Sequence, residues 1–253
     1  MSQHSQAARI LTEALKLEQP PIAVSICASA PDGIAPHDHA VAAGCVFWQE
    51  ATTSSFITGP ADHERCTVGM HTHGMPAETE PQKQDMQVSL RVFNDLGYVR
   101  DEDVAQIPTL AAGTRHVVYA PLAQALLPPD VVLLFTDARQ GLIVTEAAQQ
   151  LEGGLPPALG RPACAVVPQA LNTGRAALSL GCCGARAYLD ALPDSLALWA
   201  LPGARVAEYA ERIHALAEAN QVLTRFHSLR RSDIEAGAGP TVSESLARLQ
   251  ASS

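Results

Sequence analysis

Residues 128–135 read Pro-Pro-Asp-Val-Val-Leu-Leu-Phe, and residues 20–26 read Pro-Pro-Ile-Ala-Val-Ser-Ile. In each, a proline pair stops any helix and opens a short apolar run rich in the residues that favour strands. The run 131–136 is nearly continuous in apolar character, as expected of a strand covered on both faces. The similarity extends outward. Cys45-Val-Phe-Trp-Gln-Glu-Ala51 has its counterpart in Cys164-Ala-Val-Val-Pro-Gln-Ala170, with alanine six residues after each cysteine. Ser55-Phe-Ile-Thr-Gly59 followed by Cys66 is matched by Ala176-Ala-Leu-Ser-Leu-Gly181 followed by Cys182, Cys183 and Gly184. A repeat of this kind predicts an α/β fold made of two pseudo-symmetric halves packed as one compact domain.

The single domain is expected over residues 1–231, with repeats at about 18–75 and 126–190 and a C-terminal amphipathic helix over 205–227. Residues 232–253 are polar, carry Gly237 and Gly239, and read as a tail that is poorly ordered or loosely docked. Strands are expected near 22–27, 54–58, 116–120, 131–136, 176–180 and 196–201, with helices near 6–17, 41–51, 89–96, 141–151 and 164–170. Residues 30–40, with their proline, aspartate and histidine, read as a loop, and residues 76–87 as polar surface.

The chain has 253 residues, 47% of them hydrophobic, which excludes disorder and provides for a full core. Seventeen basic residues against 26 acidic ones give a net charge of −9, which argues against a nucleic-acid or anionic-membrane surface. No apolar run approaches the roughly 20 residues of a membrane span, and the N-terminus lacks a secretion signal. The expected location is the cytoplasm.

Six cysteines, at 27, 45, 66, 164, 182 and 183, stand out. Disulfides are rare in a reducing compartment, and the spacing contains no Cys-x-x-Cys and no tight ferredoxin or zinc-ribbon run. Only the repeat makes them a set. If the halves pack about an axis, Cys45 and Cys66 from the first could meet Cys164 and Cys182 from the second. Four thiolates around one centre suit an iron–sulfur cluster, with zinc as the alternative. The competing reading is four small buried hydrophobes. A chain of this size needs no structural metal, which favours iron–sulfur over zinc. Cys183 is a possible alternative ligand, and Cys27, inside an apolar strand, reads as core packing. Arg161 and Arg186 flank the second-half cysteines and could bind a substrate carboxylate or phosphate; either could equally form a surface ion pair. His71 and His73 read as a solvated loop, with metal or haem ligation the sharper option; Trp48 reads as core, and Glu50 as solvent-facing, with acid–base duty the sharper option. No P-loop, dinucleotide fingerprint, nucleophile elbow or His-Glu-x-x-His occurs.

Together, Pro20-Pro21-Ile-Ala-Val, Cys45-Val-Phe-Trp-Gln-Glu-Ala, Cys66-x-x-Gly69, Tyr119-Ala-Pro-Leu122, Arg161-Pro-Ala-Cys164 and Gly181-Cys182-x-Gly184-Ala-Arg186 resemble the bacterial and archaeal family known as domain of unknown function 169. The resemblance covers roughly residues 5 to 230. It implies that these cysteines and arginines belong to a shared pattern, and it supplies no reaction. The expected function is a [4Fe-4S] protein with a redox or small-anion-activating role at the junction of the halves, served by an electron-transfer or small-molecule partner. Whether it is an enzyme stays open. Two alternatives stand beside it: a non-enzymatic small-ligand or zinc-binding module, and a metal-free enzyme using Cys66 or Cys182 as nucleophile.

Overall fold

The computed structural model describes residues 2–114, 116–189 and 194–251. In chain order the elements are α1 (Gln3–Leu15), β1 (Ile22–Cys27), α2 (Val46–Glu50), β2 (Phe56–Thr58), α3 (Thr67–Thr72), α4 (Glu80–Asp95), α5 (Asp101–Val104) and β3 (His116–Pro121). Then follow β4 (Val131–Thr136), α6 (Ala138–Leu151), β5 (Ala158–Leu159), α7 (Val166–Thr173), β6 (Ala177–Ser179), α8 (Cys183–Tyr188), β7 (Ala197–Pro202), α9 (Val206–Glu235) and α10 (Val242–Ala251). The fold is mixed α/β. One seven-stranded sheet runs in the order β2-β3-β1-β4-β7-β6-β5, antiparallel except for the β5–β6 pair.

Helices cover both faces. On β4, Val131, Leu133 and Phe135 face a core that includes Phe47 and Trp48 of α2, Met70 of α3, and Val166 and Val167 of α7. Val132 and Leu134 face the other way, toward α1, α6 and α9, where Leu11, Val144, Tyr209 and Ile213 are buried. This double cover explains why an antiparallel strand reads as an unbroken apolar run. Each fully buried aliphatic side chain contributes about 2 kcal/mol.

Strand order and register recur. From the centre outward, β1-β3-β2 and β4-β7-β6 each run first, third, second in chain order. Ile22 pairs with Pro121 as Val131 pairs with Pro202. Phe56 pairs with Tyr119 as Ala177 pairs with Ala200. The parallel bridge from Pro36 to Ile57 stands where β5 meets Leu178. One hydrogen bond also recurs: Leu122 N–H donates to the Pro21 carbonyl, and Gly203 N–H to that of Asp130, both at 2.8 Å.

Residues 76–87, read as polar surface, are exposed or half-exposed and also contribute the start of α4, opened by a capping box between Thr79 and Gln82. The segment from 232, expected to be poorly ordered or loosely docked, continues α9 to Glu235 and then forms α10. Ser245 and Leu249 of α10 are buried, and Arg248 pairs with Asp233. Its polar look is that of an amphipathic helix with a narrow buried stripe. Residues 252 and 253 of that tail, and 190 of the second repeat, lie outside the described residues. No helix among the described residues is long and apolar enough to cross a membrane.

Candidate functional site

Short helices on one face of the sheet begin at or beside cysteines. Cys45 stands at the N-cap of α2, Cys66 at that of α3 and Cys182 at that of α8. Cys164 lies in the 3₁₀ turn Ala163–Ala165 that leads into α7. Helix starts leave N–H groups unpaired, and these can donate to sulfur. The Ala185 N–H donates to Cys182 Sγ at 3.4 Å. The amides of Gly44 and Gly69 would favour a thiolate at Cys66. A Cβ on Gly69 would lie 2.8 Å from Cys66 Sγ, so only glycine lets α3 approach that sulfur so closely.

All four cysteines line one cavity of about 740 Å3, together with His63, His73 and, from α4, Met86, Leu90 and Phe93. As thiolates, the four would repel one another. Burial pushes the Cys45 thiol up to about 12, with the charges of Cys66 and Cys182 adding to the effect. Burial also raises Cys66 and Cys164. These three are therefore thiols at neutral pH unless a cation sits among them, since a metal reverses the cost of ionising a buried sulfur. No three of the sulfurs lie within 4.8 Å of one another. With Zn–S bonds of about 2.3 Å, a tetrahedral zinc would hold its thiolates about 4 Å apart, so the spacing is wide for one ion.

A family model described as DUF169, uncharacterised ArCR, matches residues 10–212. The chain belongs to the DUF169 family. Comparison with curated proteins and with solved structures gives no match. The DUF169 match contains all seven strands and all six cysteines and ends within α9, leaving α10 outside it.

Of the other residues singled out in this DUF169 sequence, Cys183 is exposed and lines the cavity beside Cys182. Cys27 is half-buried at the end of β1, outside both cores, rather than packed in one. Arg161 lines the cavity at its exposed edge, with its guanidinium 3.7 Å from Asp103. Arg186 is not among the cavity-lining residues; its guanidinium donates to the carbonyls of Leu180 and Leu196. Trp48 is core, as expected. Glu50 is not simply solvent-facing: its carboxylate bonds both His37 and His39. His71 is exposed, but His73, read as a solvated loop residue, is buried, because 67–72 forms a helix that turns the two histidines apart.

Sequence reasoning missed His63. Thr58 Oγ1 donates to the Val117 carbonyl, so it accepts from His63 Nε2–H at 3.1 Å, and His63 Nδ1 is left buried without a partner. His73 Nδ1–H donates to the Gly69 carbonyl at 3.0 Å, and its Nε2 is likewise buried and unpartnered. The rings are 5.9 Å apart. No local pattern shows that His63 and His73 meet, because packing around the cavity, not sequence spacing, brings the two rings together. Burial lowers His63 to about 3, with His73 and His37 adding to it, and lowers His73 to about 4.

A pH dependence follows for the metal-free chain. Both folded values lie below the 6.5 of an unperturbed histidine. From pH 6.5 downward the unfolded chain therefore binds more protons than the folded one, and stability falls with pH. The loss reaches about 2 kcal/mol per histidine by pH 5. Denaturant midpoints measured between pH 7 and 5 should fall less steeply in His73→Asn than in the parent. Parallel profiles would show that His73 is not buried in the neutral form.

Proposed function

We propose that this chain binds a [4Fe-4S] cluster through Cys45, Cys66, Cys164 and Cys182, and that it serves redox or small-anion chemistry at the junction of two duplicated halves. The observation that carries the reading is that four cysteines, two from each half of the sequence, line one cavity, with no three of their sulfurs within the 4.8 Å that a single ion would require. The repeated strand order and register support the duplication. Backbone N–H groups at Cys66 and Cys182 suit cluster-bound sulfurs, whose potentials respond to such donors.

When bound, such a cluster supplies one-electron transfer, or Lewis-acid activation where one iron is open. The chain's own residues do the rest. His63 Nδ1 and His73 Nε2 offer two neutral hydrogen-bond acceptors at the cavity wall, which would orient a small molecule bearing donors. Arg161 at the cavity edge would draw in an anion. Met86, Leu90 and Phe93 make the α4 side apolar and hold water back. Free thiols fit a reducing compartment such as the cytoplasm. A zinc module is less consistent with the sulfur spacing. A metal-free Cys66 nucleophile is less consistent with a thiol raised by burial, since the thiolate is the reactive form.

Anaerobic reconstitution of the full chain with iron and sulfide tests this. The expected result is the broad visible absorbance of thiolate-to-iron charge transfer, with about four irons retained per chain after desalting. Stoichiometric colourless zinc, or no retained metal, would overturn it.

A further inference from the structure

A second set of ligating atoms lies outside the cysteine cavity. The Glu50 carboxylate receives two imidazoles: His37 Nε2 is 2.6 Å from Oε2, and His39 Nε2 is 3.0 Å from Oε1. One ligand atom from each residue lies within 4.8 Å of the others, the only such group of three among the described residues. The backbone that carries the histidines is pinned. His37 N–H donates to the Ile57 carbonyl at 2.9 Å, and Ile57 N–H donates to that of Ala35 at 3.0 Å. The His37 side chain is 3% exposed, with its ring edge-on to Phe47 at 4.8 Å and 4.3 Å from the His39 ring. Asp38 Oδ1 lies 2.8 Å from His39 Nδ1. A carboxylate on Nδ1 fixes the tautomer that leaves Nε2 free to ligate, the usual outer partner of a metal-bound histidine.

We propose that His37, His39 and Glu50 form a second metal site, for one divalent first-row transition ion. Two imidazoles and a carboxylate suit Zn²⁺, Co²⁺ or Fe²⁺, whereas Ca²⁺ and Mg²⁺ prefer all-oxygen sets. On binding, the ion takes the Nε2 lone pair of each ring: a doubly protonated ring releases its Nε2 proton to solvent, and a neutral His37 carries its one proton on Nδ1 instead. The site is open on one side. A hollow of about 280 Å3, lined by His37, His39, Asp62, Glu64 and Arg65, adjoins it and leaves room for water or a small ligand in the remaining positions. Three protein ligands with open positions are the arrangement of an ion that works on a ligand, not of a closed structural ion. The site is independent of any centre at the cysteines.

The test is titration of the full chain with Co²⁺, read by optical spectroscopy, and with Zn²⁺, read by calorimetry. One Co²⁺ per chain is expected to give visible ligand-field bands from nitrogen and oxygen ligands. Sulfur-bound Co²⁺ adds intense near-ultraviolet charge transfer, which separates it from this component. His39→Ala removes an exposed ligand and Glu50→Gln is isosteric, so both are expected to keep the parent circular dichroism. Each should weaken the nitrogen–oxygen component at least about tenfold, and Asp38→Asn should weaken it by a smaller factor. Absence of that component, or equal affinity in parent, His39→Ala and Glu50→Gln, would overturn the site and leave the three residues as an ion-pair cluster.

Discussion

Replacing Cys45, Cys66 or Cys164 by serine is expected to drop the iron retained after reconstitution from about four per chain to below one. A serine hydroxyl has nearly the volume of a thiol but stays protonated and is a hard, poor ligand for iron. Each of the three side chains is buried or half-buried against the core below the cavity, so the exchange changes the ligand far more than the packing. Cys183→Ser and Cys27→Ser should keep full iron. The decisive pair is Cys182 and Cys183. Cys182 caps α8 and accepts the Ala185 N–H, whereas Cys183 is exposed on the first helical turn. Cys182→Ser should therefore lose the cluster while its neighbour's variant does not. The reverse outcome would move the ligand assignment to Cys183. Equal iron in all six variants would remove the proposed centre.

Gly203→Ala is expected to cost about 3–5 kcal/mol, lowering Tm by roughly 10 °C. A Cβ at this position would stand 1.8 Å from the Pro129 carbonyl oxygen and 2.5 Å from its carbon. Both are backbone atoms and cannot rotate away. The same approach carries the hydrogen bond from Gly203 N–H to the Asp130 carbonyl, at the point where β7 leaves the sheet beside the start of β4. Loss of unfolded-chain entropy on replacing glycine by alanine would favour the variant by about 0.4–1 kcal/mol, and the clash outweighs it. Gly239→Ala is the control. Nothing lies within 4 Å of its Cβ position, so it should be neutral or slightly stabilising. A Gly203→Ala melting temperature equal to the parent's would mean that the two segments are not packed as described.

Much of the fold is legible in the sequence because strand and helix signals are local. The apolar runs 131–136 and 22–27 are the middle strand of the sheet and its neighbour. Boundaries shift where local signals compete. The helix expected over 41–51 shrinks to Val46–Glu50, since residues 41–45 bend to bring Gly44 N–H to Cys66. The helix expected from 89 begins at Glu80, because capping, not hydrophobicity, starts it. The tail conceals its helix for a related reason: α10 buries only Ser245 and Leu249 and has little apolar pattern to show.

By itself the sequence determined an α/β class, the family, and a set of cysteines singled out by their spacing in the two halves of the chain. Those depend on residue type and spacing, which a chain carries before it folds. Only the tertiary structure decided that Cys45, Cys66, Cys164 and Cys182 share one cavity, that Arg186 is spent on backbone carbonyls, and that His63 and His73 hold buried lone pairs. It alone also brought Glu50 to two histidines eleven and thirteen residues away. Burial and the meeting of distant polar atoms are properties of packing across the sheet, and no local period encodes them.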